Sequence, residues 1–94
     1  MMDRELKVMI KQIFQKEQNR LFMNDEQGRL IAEITFPETE PGVFTINHTY
    51  VDPSLRGQGV ASDLVKAAVE EIGMRNGVVR ATCSYAVKWL NDRE

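Results

Sequence analysis

The stretch Val51-Asp52-Pro53-Ser54-Leu55-Arg56-Gly57-Gln58-Gly59-Val60-Ala61 decides how this chain is read. A β-rich segment ends at Val51, a short turn follows, and an amphipathic helix begins among the glycines. The first turn of a helix has N–H donors without partners inside the helix, and it carries the positive end of the dipole. Glycine removes the Cβ atoms that would keep a phosphate away from those donors. Arg56 adds a planar, permanently charged fork beside them. The segment is therefore expected to grip a pyrophosphate, the blander alternative being a structural strand-to-helix turn. It is not a P-loop, because no Gly-Lys-Ser/Thr follows. It is not a Rossmann fingerprint either, because the third small residue and the later acidic ribose ligand are out of place.

Composition narrows the class. With 94 residues the expectation is one domain, residues 1–94, with one core of marginal stability. A hydrophobic content of 43% and a charged content of 28% describe an ordinary soluble globule. The net charge of −2 argues against a nucleic-acid or membrane-surface partner. No apolar run is long enough to span a bilayer, and Met1 to Lys7 has no signal-peptide apolar region. The single cysteine excludes an internal disulfide and suits a reducing, cytoplasmic setting. One histidine and one cysteine also speak against a zinc site.

Along the chain, Leu6, Val8 and Ile10 alternate with Lys7, Met9 and Lys11 as in a strand, whereas Ile10, Ile13 and Phe14 equally suit a short helix. Asn19 to Met23 reads as a strand, Asn24 to Gly28 as a hairpin turn, and Arg29 to Phe36 as a clear strand with Leu30, Ala32, Ile34 and Phe36 on one face. Pro37 to Gly42 reads as a polar turn. Val43 to Val51 reads as one long strand, with Phe44, Ile46, His48 and Tyr50 sharing a face. Gly59 to Met74 is a helix that buries Val60, Leu64, Ala67, Ala68 and Ile72, and Arg75-Asn76-Gly77 stops it. Val78 to Cys83 is a strand, and a final helix begins at Tyr85. The strand–helix–strand unit from Val43 to Cys83 predicts a right-handed crossover with parallel strands, the phosphate turn lying at the carboxyl end of the first.

This order, together with the spacing Arg56-x-x-Gly59-x-Ala61, resembles the GNAT acetyltransferase superfamily and its Gln/Arg-x-x-Gly-x-Gly/Ala acyl-CoA motif. His48-Thr49-Tyr50-Val51 before the motif and Thr82-Cys83-Ser84-Tyr85 after it resemble one minimal branch of very small GNAT-like proteins, over roughly residues 10–90. The resemblance implies an α/β (α+β) fold: a mixed, mostly antiparallel sheet with one splayed parallel pair, flanked by helices. It implies acetyl-CoA as acetyl donor, no metal, and transfer to an amine, either a protein lysine, an N-terminus or an exposed small amine. The alternative is a non-catalytic acyl-CoA-binding or regulatory module. A monomer or weak dimer is expected.

Carried onto this sequence, the resemblance implies that Val51 gives its backbone N–H to the thioester carbonyl and so stabilises developing negative charge. The backbone of Arg56, Gly57, Gln58, Gly59, Val60 and Ala61 would hold the pyrophosphate, and Cys83, Ser84 and Tyr85 would lie near the acetyl group or the pantetheine arm. His48, the lone histidine, is a candidate general base, or a core-facing residue bonded to a backbone carbonyl. Cys83 is a candidate nucleophile or proton donor to the leaving thiolate, or a small packed apolar residue. His48 and Cys83 are expected to pair across the splayed strands. Tyr85 would protonate the CoA sulfur or pack its ring. Lys66, Arg75, Arg80 and Lys88 would touch the CoA 3′-phosphate or be merely solvated. Asp52 is expected to cap the turn, and Trp89 and Leu90 to dock the last helix onto the sheet.

Two departures bear on these expectations. Larger members have helices after their first strand and a further C-terminal hairpin, which wall the acceptor pocket. The resemblance without those elements implies an open acceptor side. Ala81 stands where relatives of the small branch often have proline, which bears on the local shape of the Cys83 strand.

Overall fold

In the computed structural model, which describes residues 14–92, the strongest alternating segment builds the central strand. Strands β1 (Gln15–Glu17), β2 (Arg20–Asn24) and β3 (Leu30–Thr35) form an antiparallel meander, whose neighbour is β6 (His48–Val51). The β2–β3 turn is held by Asp25, whose carboxylate accepts from the backbone N–H groups of Gln27 and Arg29, both at 2.9 Å. A second sheet contains β4 (Glu38–Glu40), β5 (Val43–Ile46) and β7 (Val78–Ala81), with β5 and β7 parallel. Helix α1 (Val60–Met74) connects the two sheets, and α2 (Ser84–Asp92) follows β7. The alternatives read over Leu6 to Lys11 lie outside the described residues.

Ala32, Ile34 and Phe36 on one face of the β3 region are fully buried, as are Leu64, Val65, Ala68 and Ile72 of α1. Val65 is thus fully buried, while Ala67, expected in the stripe, is half-buried. Each large aliphatic side chain in this layer contributes about 1.5–3 kcal/mol by leaving water. Arg75 locks the C-terminal end of α1 to the β1–β2 turn. Its guanidinium donates to Glu71, to Asn19 Oδ1 at 3.0 Å and to the carbonyl of Gln18, and it lies over the rings of Phe36 and Phe44. Arg75 is thereby a structural clamp between α1 and the β1–β2 turn.

Two expectations are corrected. Pro37 to Gly42 is not all turn: Glu38–Glu40 pairs with β5, and Thr39 and Thr45 hydroxyls meet at 2.8 Å. Nor is Val43 to Val51 one strand. Asn47 interrupts it, with its N–H donating to the Thr35 carbonyl at 3.2 Å and its side-chain oxygen accepting from the Thr35 hydroxyl. Before the break Phe44 and Ile46 face the core; after it Thr49 and Val51 pair with Ile34 and Ala32 on the inner face. His48 and Tyr50 therefore turn outward. The break also moves the chain between sheets, since β5 pairs with β7 and β6 pairs with β3. The last ties between β5 and the β7 strand end are the N–H groups of Thr82 and Cys83, which both donate to the Ile46 carbonyl at 3.0 and 3.3 Å. Beyond them β6 and β7 part.

The helix stop splits its two tasks between neighbours. Asn76 takes the left-handed conformation with φ 59°, and Gly77 supplies close approach: a Cβ there would sit 2.7 Å from the Phe44 ring and 2.9 Å from Ile72. The variant Gly77→Ala is expected to lose about 1–3 kcal/mol by overpacking, read as a lowered midpoint in urea unfolding with an unchanged slope.

Candidate active site

The Gly-rich stretch folds as a 3₁₀ turn, Pro53–Leu55, followed by the start of α1. Asp52 caps that turn, accepting from Ser54 N–H at 3.0 Å, from the Ser54 hydroxyl at 2.6 Å and from the Tyr50 hydroxyl at 3.3 Å. The Ser54 hydroxyl, followed by its N–H, holds the Asp52 carboxyl below the usual carboxylate range despite partial desolvation. Asp52 is therefore an anionic cap and a poor proton acceptor near neutral pH. Gly57 and Gly59 take φ 81° and 77°, a region that costs other residues about 1–2 kcal/mol. Gly59 is the N-cap of α1, its carbonyl accepting the first helical bond from Asp63 N–H at 3.0 Å. Having no side chain, it leaves the first-turn N–H groups uncapped.

These groups open on a cleft of about 700 Å³. Val51, Arg56, Gly57, Gly59, Val60, Ala61 and Tyr85, all expected at the donor site, line it together with Thr49, Tyr50, Pro53, Leu55 and Ser62, to which no site role was assigned from sequence. Gln58 and Ser84 are not among the lining residues; the Gln58 side chain donates to the Ser54 carbonyl at 3.4 Å, and Ser84 is the first residue of α2. Ser62 also accepts from Trp89 Nε1 at 2.8 Å, which docks α2 on α1 beside the cleft.

The edge of β6 gives the cleft its polar wall. Asp52 N–H donates to the Ile31 carbonyl at 2.8 Å, so Asp52, Tyr50 and His48 turn their backbone groups toward β3. The N–H groups of the intervening residues, Thr49 and Val51, point the other way. Among the described strands, none pairs with that side of β6. The Thr49 N–H turns to the Cys83 thiol, and the Val51 N–H is left without a strand partner at this edge.

Cys83 sits across this gap. Its thiol lies 3.5 Å from the Thr49 hydroxyl, and its carbonyl accepts from Val87 N–H at 2.9 Å, which makes it the residue preceding α2. Burial pushes the thiol pKa up. The Thr49 hydroxyl and the backbone N–H groups of Ala86, Tyr85 and Thr49 outweigh it and bring the thiol below its usual value. A cysteine at a helix N-terminus gains thiolate character in this way.

The expected pairing of His48 with Cys83 is not formed. His48 turns to the outer face of the sheet, where its Nε2 lies 3.2 Å from Glu33 Oε1 and its side chain is 53% exposed. The break at Asn47 is the physical reason: before it Phe44 and Ile46 face inward, and after it Thr49 and Val51 do, which leaves His48 outward. It is likewise not the core-facing residue of the blander reading. Glu33, which contacts His48, carries no signal in the sequence beyond its alternation in a strand, whereas Thr49, which contacts Cys83, belongs to the His48–Val51 segment singled out above. Of the other cations considered, Arg80 lies 3.6 Å from Glu40, and Lys88 lies 3.6 Å from Asp92.

The described residues thus combine a split pair of sheets with a glycine-capped helix at the split. The sequence profile of the GCN5-related N-acetyl-transferase family matches residues 20–94, and the chain belongs to that family. A Staphylococcus aureus protein assigned as a GCN5-like N-acetyltransferase is 32% identical and superimposes with a TM-score of 0.72, over 86% of this chain and 79% of that one. The same fold recurs in an assigned acetyl transferase from Pyrococcus furiosus, 21% identical with a TM-score of 0.60 over 97% of this chain and 65% of that one. It recurs again in an assigned acyl-CoA N-acyltransferase from Klebsiella pneumoniae, 19% identical with a TM-score of 0.56 over 83% of this chain and 58% of that one. No curated protein matches the chain in sequence. Among the described residues no helix is long and apolar enough to cross a membrane.

The thiol environment yields a direct check. Thr49→Val removes a hydroxyl that lowers the Cys83 pKa, so the pH at which iodoacetamide alkylation reaches half its maximum rate moves upward relative to the wild type. An unchanged pH profile contradicts the role of Thr49.

Proposed function

We propose that the chain transfers the acetyl group of acetyl-CoA to an exposed amine: a protein lysine, an N-terminus or an accessible small amine. The observation that carries this reading is the free edge of β6 opening into the same cleft as the uncapped N-terminus of α1. One structure thereby offers donors for a pyrophosphate and, a short distance along the chain, an unpaired N–H for a carbonyl.

In this reading the backbone from Arg56 to Ala61, with the Arg56 guanidinium, holds the pyrophosphate. The Val51 N–H polarises the thioester carbonyl as negative charge develops on its oxygen. Cys83 and Tyr85 lie on the α2 side of the gap, where a thiol or a phenol can give a proton to the departing sulfur. The lowered thiol pKa also suits Cys83 to take up the acetyl group transiently. His48 serves as base from the outer face of the sheet. Because it does not touch Cys83, any activation of that thiol falls to Thr49 and the N-terminus of α2.

Titration calorimetry with acetyl-CoA, and with ADP as control, tests the donor site: selective binding of acetyl-CoA supports it, and equal binding of ADP removes it. Replacing Arg56 by Ala removes a charged partner worth about 1.5–3 kcal/mol, a loss of roughly tenfold to a hundredfold in affinity. Release of free CoA thiol that depends on an added amine or lysine peptide distinguishes a transferase from a non-catalytic binding module. Intact-protein mass after acetyl-CoA alone shows whether Cys83 becomes acetylated.

A further inference from the structure

We propose that Glu33, held by Arg20, is the positioning residue that makes His48 Nδ1 the proton acceptor for the incoming amine. The inference rests on the acetyl-transfer reading above. On the outer face of the sheet, Glu33 stands opposite Phe22 on one side and Tyr50 on the other, and Thr35 stands between Arg20 and His48. Arg20 Nε lies 2.5 Å from Glu33 Oε2, and its guanidinium is further fixed by Glu17 at 3.1 Å and by the Phe22 ring at 3.9 Å. One carboxylate oxygen is thus committed to Arg20, and the other, Oε1, faces His48 Nε2 at 3.2 Å. Glu33 is largely shielded, at 17% exposure, whereas the imidazole is 53% exposed.

A carboxylate oxygen can only accept. A neutral imidazole facing it is therefore favoured with its proton on Nε2, which leaves the lone pair on Nδ1, away from Glu33. Without Glu33 either nitrogen could hold the proton, and the ring would turn freely on an exposed strand. The place of His48 fits the task. His48 and Tyr50 stand on the outer face of β6, opposite Thr49 and Val51, on the strand whose other edge is free. The outer face is the side from which an acceptor arrives without displacing α1. There the amine nitrogen forms its bond to the acetyl carbon while the carbon–sulfur bond breaks. The bonding pair leaves on the CoA sulfur, which takes a proton from Cys83, Tyr85 or water, and the proton lost by nitrogen passes to Nδ1 of His48.

His48 is the one histidine of the chain, so its imidazole nitrogens can be observed without ambiguity by long-range ¹H–¹⁵N correlation. In the wild type they are expected to report the Nε2-protonated tautomer, and in Glu33→Gln a mixture, because an amide can accept or donate. With an amine acceptor, Glu33→Gln is expected to lower kcat at least about tenfold, a part of what a general base contributes, with KM for acetyl-CoA and the circular-dichroism spectrum unchanged. Arg20→Met, which releases the carboxylate, lowers kcat in the same direction by a smaller factor. In a His48→Ala background Glu33→Gln costs nothing further. An Nδ1-protonated imidazole in the wild type, or wild-type kcat in Glu33→Gln, overturns the role of Glu33. A wild-type protein that shows the Nε2 tautomer yet releases no CoA with any amine overturns instead the transfer reading beneath it.

Discussion

One strand interrupted at one residue governs this molecule. Asn47 spends its backbone and side-chain groups on Thr35, so the chain cannot continue the pairing begun by β5. The segment before it stays with β7 and the segment after it joins β3. Two consequences follow from that single change of partner. An edge opens along β6 at the point where the Gly-rich turn begins, and the inward face changes from Phe44 and Ile46 to Thr49 and Val51. A continuous strand would have closed the gap with ladder hydrogen bonds and left no backbone donor for a substrate.

The two sides of the gap are built by different means. The donor side is almost all backbone: left-handed glycines, uncapped helical N–H groups and the unpaired edge of a strand. Such a surface recognises phosphate and carbonyl oxygen with little demand on side-chain identity, which suits a donor molecule shared by many reactions. The opposite side is built from side chains on adjacent strands, with Arg20, Glu33, His48 and Tyr50 brought together by register alone. Cys83 stands between the two sides. Its thiol is placed by the start of α2 and tuned by a hydroxyl from the other strand.

The legible part of the protein was the local part. Alternation from Leu30 to Phe36 marks the central strand because period-two burial leaves a direct imprint on residue type. The α1 stripe and its Asn-Gly stop follow from helical periodicity and from the low cost of left-handed backbone at those residues. Arg56 to Ala61 announced a left-handed turn into a helix because glycine spacing before a helix is itself the device. His48 was misplaced for an equally physical reason. Its alternation with Phe44, Ile46 and Tyr50 is regular in sequence, and nothing in residue type reveals that one residue between them breaks the phase.

By itself, then, the sequence determined the helices, the β2–β3 hairpin, the Gly-rich turn and the family to which the motifs belong, because each is written in short-range periodicity or in backbone-permissive residues. Tertiary structure alone decided which side chains face one another. Thr49 meets Cys83 and Glu33 meets His48 only through pairing between segments separated by 34 residues in the first case and by strand register in the second. A change of phase by one position turns a side chain to the opposite face, and the break at Asn47 makes that change, leaving His48 outward and Thr49 beside Cys83.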